Sequence, residues 1–143
     1  MIILNSYWSL LFKYISKCHK SDDIPVSALI EKDGNIISIG YNTRKKTNNV
    51  LGHAEINAII KANKKMKTWN LSDCNLYVLL KPCSMCMEII KQSRIKNVYY
   101  LLDKLEEKKE YSNVMLTKVN EESLEKDYKE ILSDFFCKLR DKK

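Results

Sequence analysis

Residues 75–80, "NLYVLL", form a short and almost wholly apolar run that ends two residues before Pro82. Such a run is what a central strand shows when both of its faces are covered. It therefore commits the chain to layers, with helices or loops above and below a sheet. The remaining segments supply them. "NVYYLL" (97–102) reads as a second buried strand and "NVMLTKV" (113–119) as a last one. "VSALIEKDGNIISIGYN" (26–42) reads as two antiparallel strands, near 26–32 and 36–41, turned at Asp33-Gly34.

Between these runs the apolar spacing becomes helical. Trp8, Leu11, Phe12 and Ile15 predict an amphipathic helix over about 5–19, with His19 at its surface end. Ile56, Ile59 and Ile60 lie on one side of "HAEINAIIKANKKMK", which predicts a second helix beginning at or near His53. Pro82 suits the first turn of a third, over about 83–93. "KLEEKKEYS" (104–112) is charged and reads as helical, and Leu124, Tyr128, Ile131, Leu132 and Phe135 stripe a long final helix. The expectation is a three-layer α/β/α fold with a central five-stranded mixed sheet. A single domain over 1–143 follows, because 45% apolar residues suffice for one core at this length.

Charge and cysteine usage narrow the setting. The formal net charge of +7 invites a polyanionic partner, although only Arg44, Arg94 and Arg140 of the 25 basic residues are arginines. That lysine excess also fits a base-composition bias. No run approaches the ~18 apolar residues of a membrane span, and five cysteines without export signals read as thiols or metal ligands. A cytoplasmic protein that does not bind membranes is expected.

Cys83 and Cys86 stand three apart at a helix start, which puts both sulfurs on one face and favours their thiolate forms. Alone they leave a redox dithiol, inert core thiols and a metal pair open. His53 opens the preceding helix, whose N-terminus should lie beside that of the cysteine helix. Three such ligands match a catalytic zinc site with one position left for water. A closed structural site would need a fourth ligand, and Cys18, Cys74, Cys137 and His19 stand at no short spacing from the set. Glu55, two residues after His53, is placed to flank such a metal and exchange protons with water.

His53-Ala54-Glu55 followed by Pro82-Cys83-Ser84-Met85-Cys86 is the H-x-E and P-C-x-x-C signature of zinc-dependent nucleobase deaminases. With "IPVSALIEKDGNIISIGYN", "HAEINAI", "LYVLLKPCSMCMEIIKQSRI" and "LSDFFCKLR", the chain resembles the bacterial tRNA adenosine deaminases of the cytidine deaminase superfamily. The resemblance implies the cytidine-deaminase-like fold and one Zn2+ per subunit on His53, Cys83 and Cys86. It implies Glu55 as proton shuttle, and Asn42, Ala54 and Asp103 as substrate contacts. Read alone, Asn42 is more simply a turn residue at a strand end. The family also forms homodimers that bind a tRNA anticodon stem-loop and convert its wobble adenosine to inosine.

Arg44, Lys45, Lys46, Lys138 and Arg140 are the RNA contacts expected from charge and position, with Lys64, Lys65, Lys67, Lys142 and Lys143 as further basic clusters. Three departures from the family stand out: Lys81 where a Glu usually precedes Pro-Cys, "NNVLG" before "HAE", and a short segment after Asp103. Deamination of a free base, nucleoside or nucleotide of cytosine or guanine type is the alternative on the same fold. An inactive zinc-stabilised interaction subunit is a third reading, against which Glu55 argues.

Overall fold

The computed structural model describes residues 2–104 and 113–141. Five strands form one sheet in the order β2-β1-β3-β4-β5. They are β1 (Ser27–Lys32), β2 (Asn35–Tyr41), β3 (Asn75–Leu80), β4 (Asn97–Leu102) and β5 (Met115–Lys118). β1 is antiparallel to both β2 and β3, whereas β3, β4 and β5 run parallel. The β1–β2 hairpin turns on Asp33 at φ 52° and Gly34 at φ 82°. Two consecutive left-handed residues give the turn whose twist matches the strands it joins.

Among the described residues four α-helices cover the sheet: α1 (Ile2–Tyr14), α2 (Ala54–Met66), α3 (Ser84–Gln92) and α4 (Glu122–Asp141). Alternate residues of the central strands face opposite layers, as the pleat requires. Ala28, Ile30, Leu76, Val78 and Val98 pack with Ala58, Ile59 and Ala62 of α2 and Met87 and Ile90 of α3. Leu29, Tyr77, Leu79 and Leu101 pack with Tyr7, Trp8 and Leu11 of α1 and Tyr128 of α4. The expected three-layer α/β architecture with a five-stranded mixed sheet is therefore the one observed.

Two expectations need correction. The first helix does not run to residue 19. It gives way at Ile15 to a 3-10 helix ending at Ser21. Cys18 is buried and its thiol faces the carbonyls of Val26 and Asn42, at 3.8 and 3.7 Å, so the chain tightens to bring it there. Pro82 likewise lies outside the third helix. Cys83 is the residue that caps it, with extended backbone (φ −73°, ψ 171°). The proline instead disfavours helix at Lys81, which keeps the end of β3 extended. The "KLEEKKEYS" segment lies outside the described residues, apart from Lys104.

The pairing register decides where the functional residues meet. Ser27 pairs with Tyr41, and Leu80 with Leu102. The start of β1 and the ends of β2, β3 and β4 therefore share one edge of the sheet. Asn42, Val26, Cys83 and Asp103 all stand there, at the carboxyl ends of the parallel strands, where open α/β sheets form their ligand crevices.

Candidate metal centre and active site

α2 is seated on β2 by a close backbone approach. A Cβ on Gly40 would lie 2.4 Å from the Ala54 carbonyl oxygen and 2.5 Å from the Ala58 nitrogen. Around this contact the Ser38 hydroxyl donates to the Ala58 carbonyl at 2.7 Å, and the Asn57 amide donates to the Tyr41 carbonyl at 2.9 Å. The N-terminus of α2 is thereby fixed over the sheet edge. His53 caps it in extended conformation (φ −90°, ψ 148°), as Cys83 caps α3.

The two caps meet. His53 Nδ1 lies 3.8 Å from Cys83 Sγ and 3.4 Å from Cys86 Sγ. The three ligand atoms all lie within 4.8 Å of one another. Among the described residues this is the one group of three or more His, Cys, Asp or Glu side chains suited to a metal ion. Tetrahedral zinc with ordinary Zn–S and Zn–N bonds needs sulfur and nitrogen about 3.6 Å apart. The observed separations bracket that value, and two thiols with one imidazole are the soft donor set zinc prefers.

The Cys83 thiol is pushed below the usual thiol range, first by hydrogen bonding from Cys86 and then by His53, which outweigh its partial burial. Cys86, fully buried and donating to Cys83, is pushed far up. His53 is raised above the usual histidine range, chiefly by its interaction with Cys83. Both sulfurs also sit at the N-terminus of α3, whose dipole favours the anion.

Glu55 lies in the first turn of α2 and is buried at 5% exposure. Burial is the main cause of a carboxyl pushed up to about 6, and the charge of Cys83 adds to it, while a hydrogen bond from its own main-chain N–H opposes both. It stands outside the group of three ligand atoms but lines the same small cleft. That cleft, about 70 Å³, is walled by Ile24, Val26, Asn42, His53, Glu55, Leu80, Lys81, Cys83 and Lys104. A larger cavity, about 950 Å³, opens among Asn70, Lys91, Arg94, Asn97 and Met115 and contains none of these chemical groups.

The remaining sequence-derived candidates fall into three sets. Asn42 lines the cleft with both ends of its amide engaged: Nδ2 donates to the Ile24 carbonyl at 2.9 Å and Oδ1 accepts from the Ala54 N–H at 2.8 Å. It thus clips the end of β2 to the start of α2. One amide hydrogen and one lone pair remain for another partner. Ala54 is fully buried, and its own N–H is the group Asn42 holds.

Asp103 is exposed and pairs with Lys81, Nζ to Oδ1 at 3.7 Å. Arg44, Lys45 and Lys46 form the loop after β2. The carboxylate of buried Asp23 accepts the Lys45 and Lys46 main-chain N–H groups at 2.7 and 3.2 Å. Lys138 lines a groove with His19 and Asp22 on the segment that leads into Asp23. Arg140 donates to the Cys137 sulfur at 3.3 Å. Lys64 and Lys65 fall in the last turn of α2, with Lys67 after it. Thirteen residues of helix put that end about 20 Å from His53. Cys18, Cys74 and Cys137 are free thiols outside the three-atom group.

Sequence reasoning missed Lys104, Ile24, Val26 and Leu80 as cleft residues. It also missed Tyr41, whose ring has the ammonium groups of Lys17, Lys46 and Lys61 within 5.6 to 5.9 Å. Its place directly before Asn42 was the available signal.

The family model described as MafB19-like deaminase matches residues 5–140, nearly the whole chain. The chain belongs to the MafB19-like deaminase family.

Relatives of this chain are informative about chemistry. A tRNA-specific adenosine deaminase of Streptococcus pyogenes serotype M18 is 40% identical over 88 residues, covering 62% of this chain and 55% of that protein. One from Rickettsia bellii is 43% identical over 81 residues, 55% of this chain and 56% of that one. The chain thus spans about half the length of the curated relatives it matches. A structure from a study of A-to-I editing by tRNA:A34 deaminases superposes with TM-score 0.70 at 23% identity, covering 80% of this chain and 98% of that one. Guanine deaminase from Bacillus subtilis superposes with TM-score 0.64 at 34% identity, over 69% and 64% of the two chains.

Proposed function

We propose that this deaminase hydrolyses adenosine to inosine at the wobble position of a tRNA anticodon. The observation that carries the reading is the convergence of His53, Cys83 and Cys86 within 4.8 Å beside buried Glu55. The substrate is taken from relatives named tRNA-specific adenosine deaminase at 40 to 43% identity.

His53, Cys83 and Cys86 are the residues that would hold zinc. Bound there, zinc supplies Lewis acidity that brings the deprotonation of water toward neutral pH. Glu55 takes a proton from the attacking water, passes it to the purine ring nitrogen, and later delivers one to the departing amine. A C–O bond forms at C6, the C–N bond breaks, and ammonia leaves. Asn42 presents its remaining amide hydrogen and lone pair to the purine edge, while the Ala54 backbone and Asp103 border the nucleotide.

The single-stranded anticodon loop lets one base be splayed out so that its reacting edge reaches the cleft. Arg44, Lys45 and Lys46 on one side, and Lys138 and Arg140 on α4, contact the RNA backbone. The protein works as one domain, as a homodimer, in the cytoplasm where its RNA substrate is found. Sedimentation at micromolar concentration tests the dimer, and a monomer there contradicts it. Among the described residues no helix is long and apolar enough to cross a membrane.

Guanine deamination is the second reading, favoured by the 34% identity to the Bacillus subtilis enzyme. Purified protein loaded with zinc is incubated with an anticodon stem-loop bearing wobble adenosine, and separately with guanine and cytosine. Inosine in the stem-loop is the expected result. Ammonia from a free base, with the stem-loop unchanged, replaces the reading with the second one.

A further inference from the structure

The cleft is lined by two lysines that the metal and proton chemistry leaves unused. Lys81 and Lys104 both line it, beside His53, Glu55 and Cys83. The sheet fixes where they stand. Leu80 and Leu102 close the β3–β4 ladder, and the Lys81 N–H donates to the Leu102 carbonyl at 3.0 Å. The Lys81 side chain is only 24% exposed. Its Nζ sits 3.7 Å from Asp103 Oδ1 and 5.8 Å from the centre of the Tyr100 ring.

Fold stability gives little reason for this cation. An ion pair whose acid is 54% exposed is screened by solvent and adds little to stability. Cleft size gives a better one. The cleft is narrow, about 70 Å³, and opens to solvent. On the adenosine reading the reacting edge of the base enters it beside Glu55, and the sugar and phosphate stay outside. An ammonium there is a point-charge phosphate ligand with three donors.

We propose that Lys81, assisted by Lys104, binds the phosphate attached to the target nucleoside, and that Asp103 competes for Lys81 until the phosphate arrives. The site then selects a base carried on a phosphate over the same base free. This deepens the adenosine reading above and rests on it for the identity of the base. The phosphate can belong to an RNA strand or to a free nucleotide, and the substrates of the test separate the two.

Zinc-loaded wild type, Lys81→Gln, Lys81→Arg, Asp103→Asn and Lys32→Gln are compared on the stem-loop, adenosine monophosphate, adenosine and guanine. Binding of the stem-loop is measured by fluorescence anisotropy against salt. Lys32 closes β1 at its far end, opposite the residues that wall the cleft. Lys81→Gln is expected to raise KM about 3- to 10-fold for phosphate-bearing substrates with kcat little changed, and to lower the salt slope by about one. Lys81→Arg restores most of the loss, Lys32→Gln changes nothing, and Asp103→Asn lowers KM.

The opposite signs are decisive, because both substitutions break the same ion pair and a structural role moves both the same way. Changes of equal sign, or an unchanged KM and salt slope in Lys81→Gln, overturn the proposal. Wild type that converts the stem-loop with Lys81→Gln unaffected keeps the tRNA reading and removes the phosphate site. Turnover of the monophosphate alone, lost on Lys81→Gln, does the reverse. Turnover of free bases only removes both.

Discussion

At the level of single residues, labour is divided within three positions of one helix start. His53 points its Nδ1 at the two sulfurs, and Glu55, two residues on, is buried in the same cleft outside the ligand group. If Glu55 moves protons and does not hold metal, Glu55→Ala should lower kcat by roughly 10²- to 10⁴-fold with zinc stoichiometry unchanged. Metal analysis on the assayed sample checks both halves. Full turnover with zinc retained removes the shuttle, and loss of zinc makes Glu55 part of the metal site. The motif spacing made these four residues legible in the sequence. Asn42 was legible only in part: its strand-end position was plain, but the two hydrogen bonds that make it a clip depend on Ile24 and Ala54, which only the folded chain brings to it.

At the element scale the site exists because two helix N-termini are aimed at one point. Gly40 permits this for α2: neither the Ala54 carbonyl nor the Ala58 nitrogen can give way to a Cβ without moving the helix. Gly40→Ala should cost about 1–3 kcal/mol and lower zinc stoichiometry along with the thermal midpoint. Unchanged zinc binding in a stable Gly40→Ala protein would show that the β2–α2 contact does not set the position of His53. The strand and helix order was readable from period and turn chemistry, since "NLYVLL" and "NVYYLL" are β3 and β4 to the residue. Boundaries set by tertiary contact were not. The break at Ile15 follows from burying Cys18 against Val26 and Asn42, partners 8 and 24 residues away. Pro82 suited a helix start, yet the cap fell on Cys83, where the extended backbone serves the sulfur rather than the helix.

At the scale of the whole molecule, the layer of α1 and α4 buries several weak acids. Burial pushes Cys18 up to about 11 and Tyr77 to about 12, raises Tyr7, and raises Tyr128 well above its ordinary value. Each is neutral in the folded protein at pH values where the unfolded chain ionises, so the unfolded state gains stability as pH rises. Below pH 9, the ordinary thiol value, these groups contribute nothing to the pH dependence; above it stability should fall, first through Cys18 and then through the tyrosines. Cys18 and Tyr77 each account for on the order of 2 kcal/mol. Thermal midpoints from pH 8 upward check this, and Cys18→Ala should flatten the first part of the decline. The charge of the whole chain was legible, but its distribution was not: Lys81 and Lys104 reach the cleft, whereas Lys64, Lys65 and Lys67 lie at the far end of α2. In the proposed function this cleft hydrolyses one adenosine held in RNA. Its most direct measurement is mass-spectrometric mapping of a stem-loop after incubation with zinc-loaded protein, with released ammonia counted in parallel. Inosine at the wobble position alone, with one ammonia per inosine and none from Glu55→Ala, is the predicted result. A stem-loop recovered unaltered while guanine is consumed would contradict it.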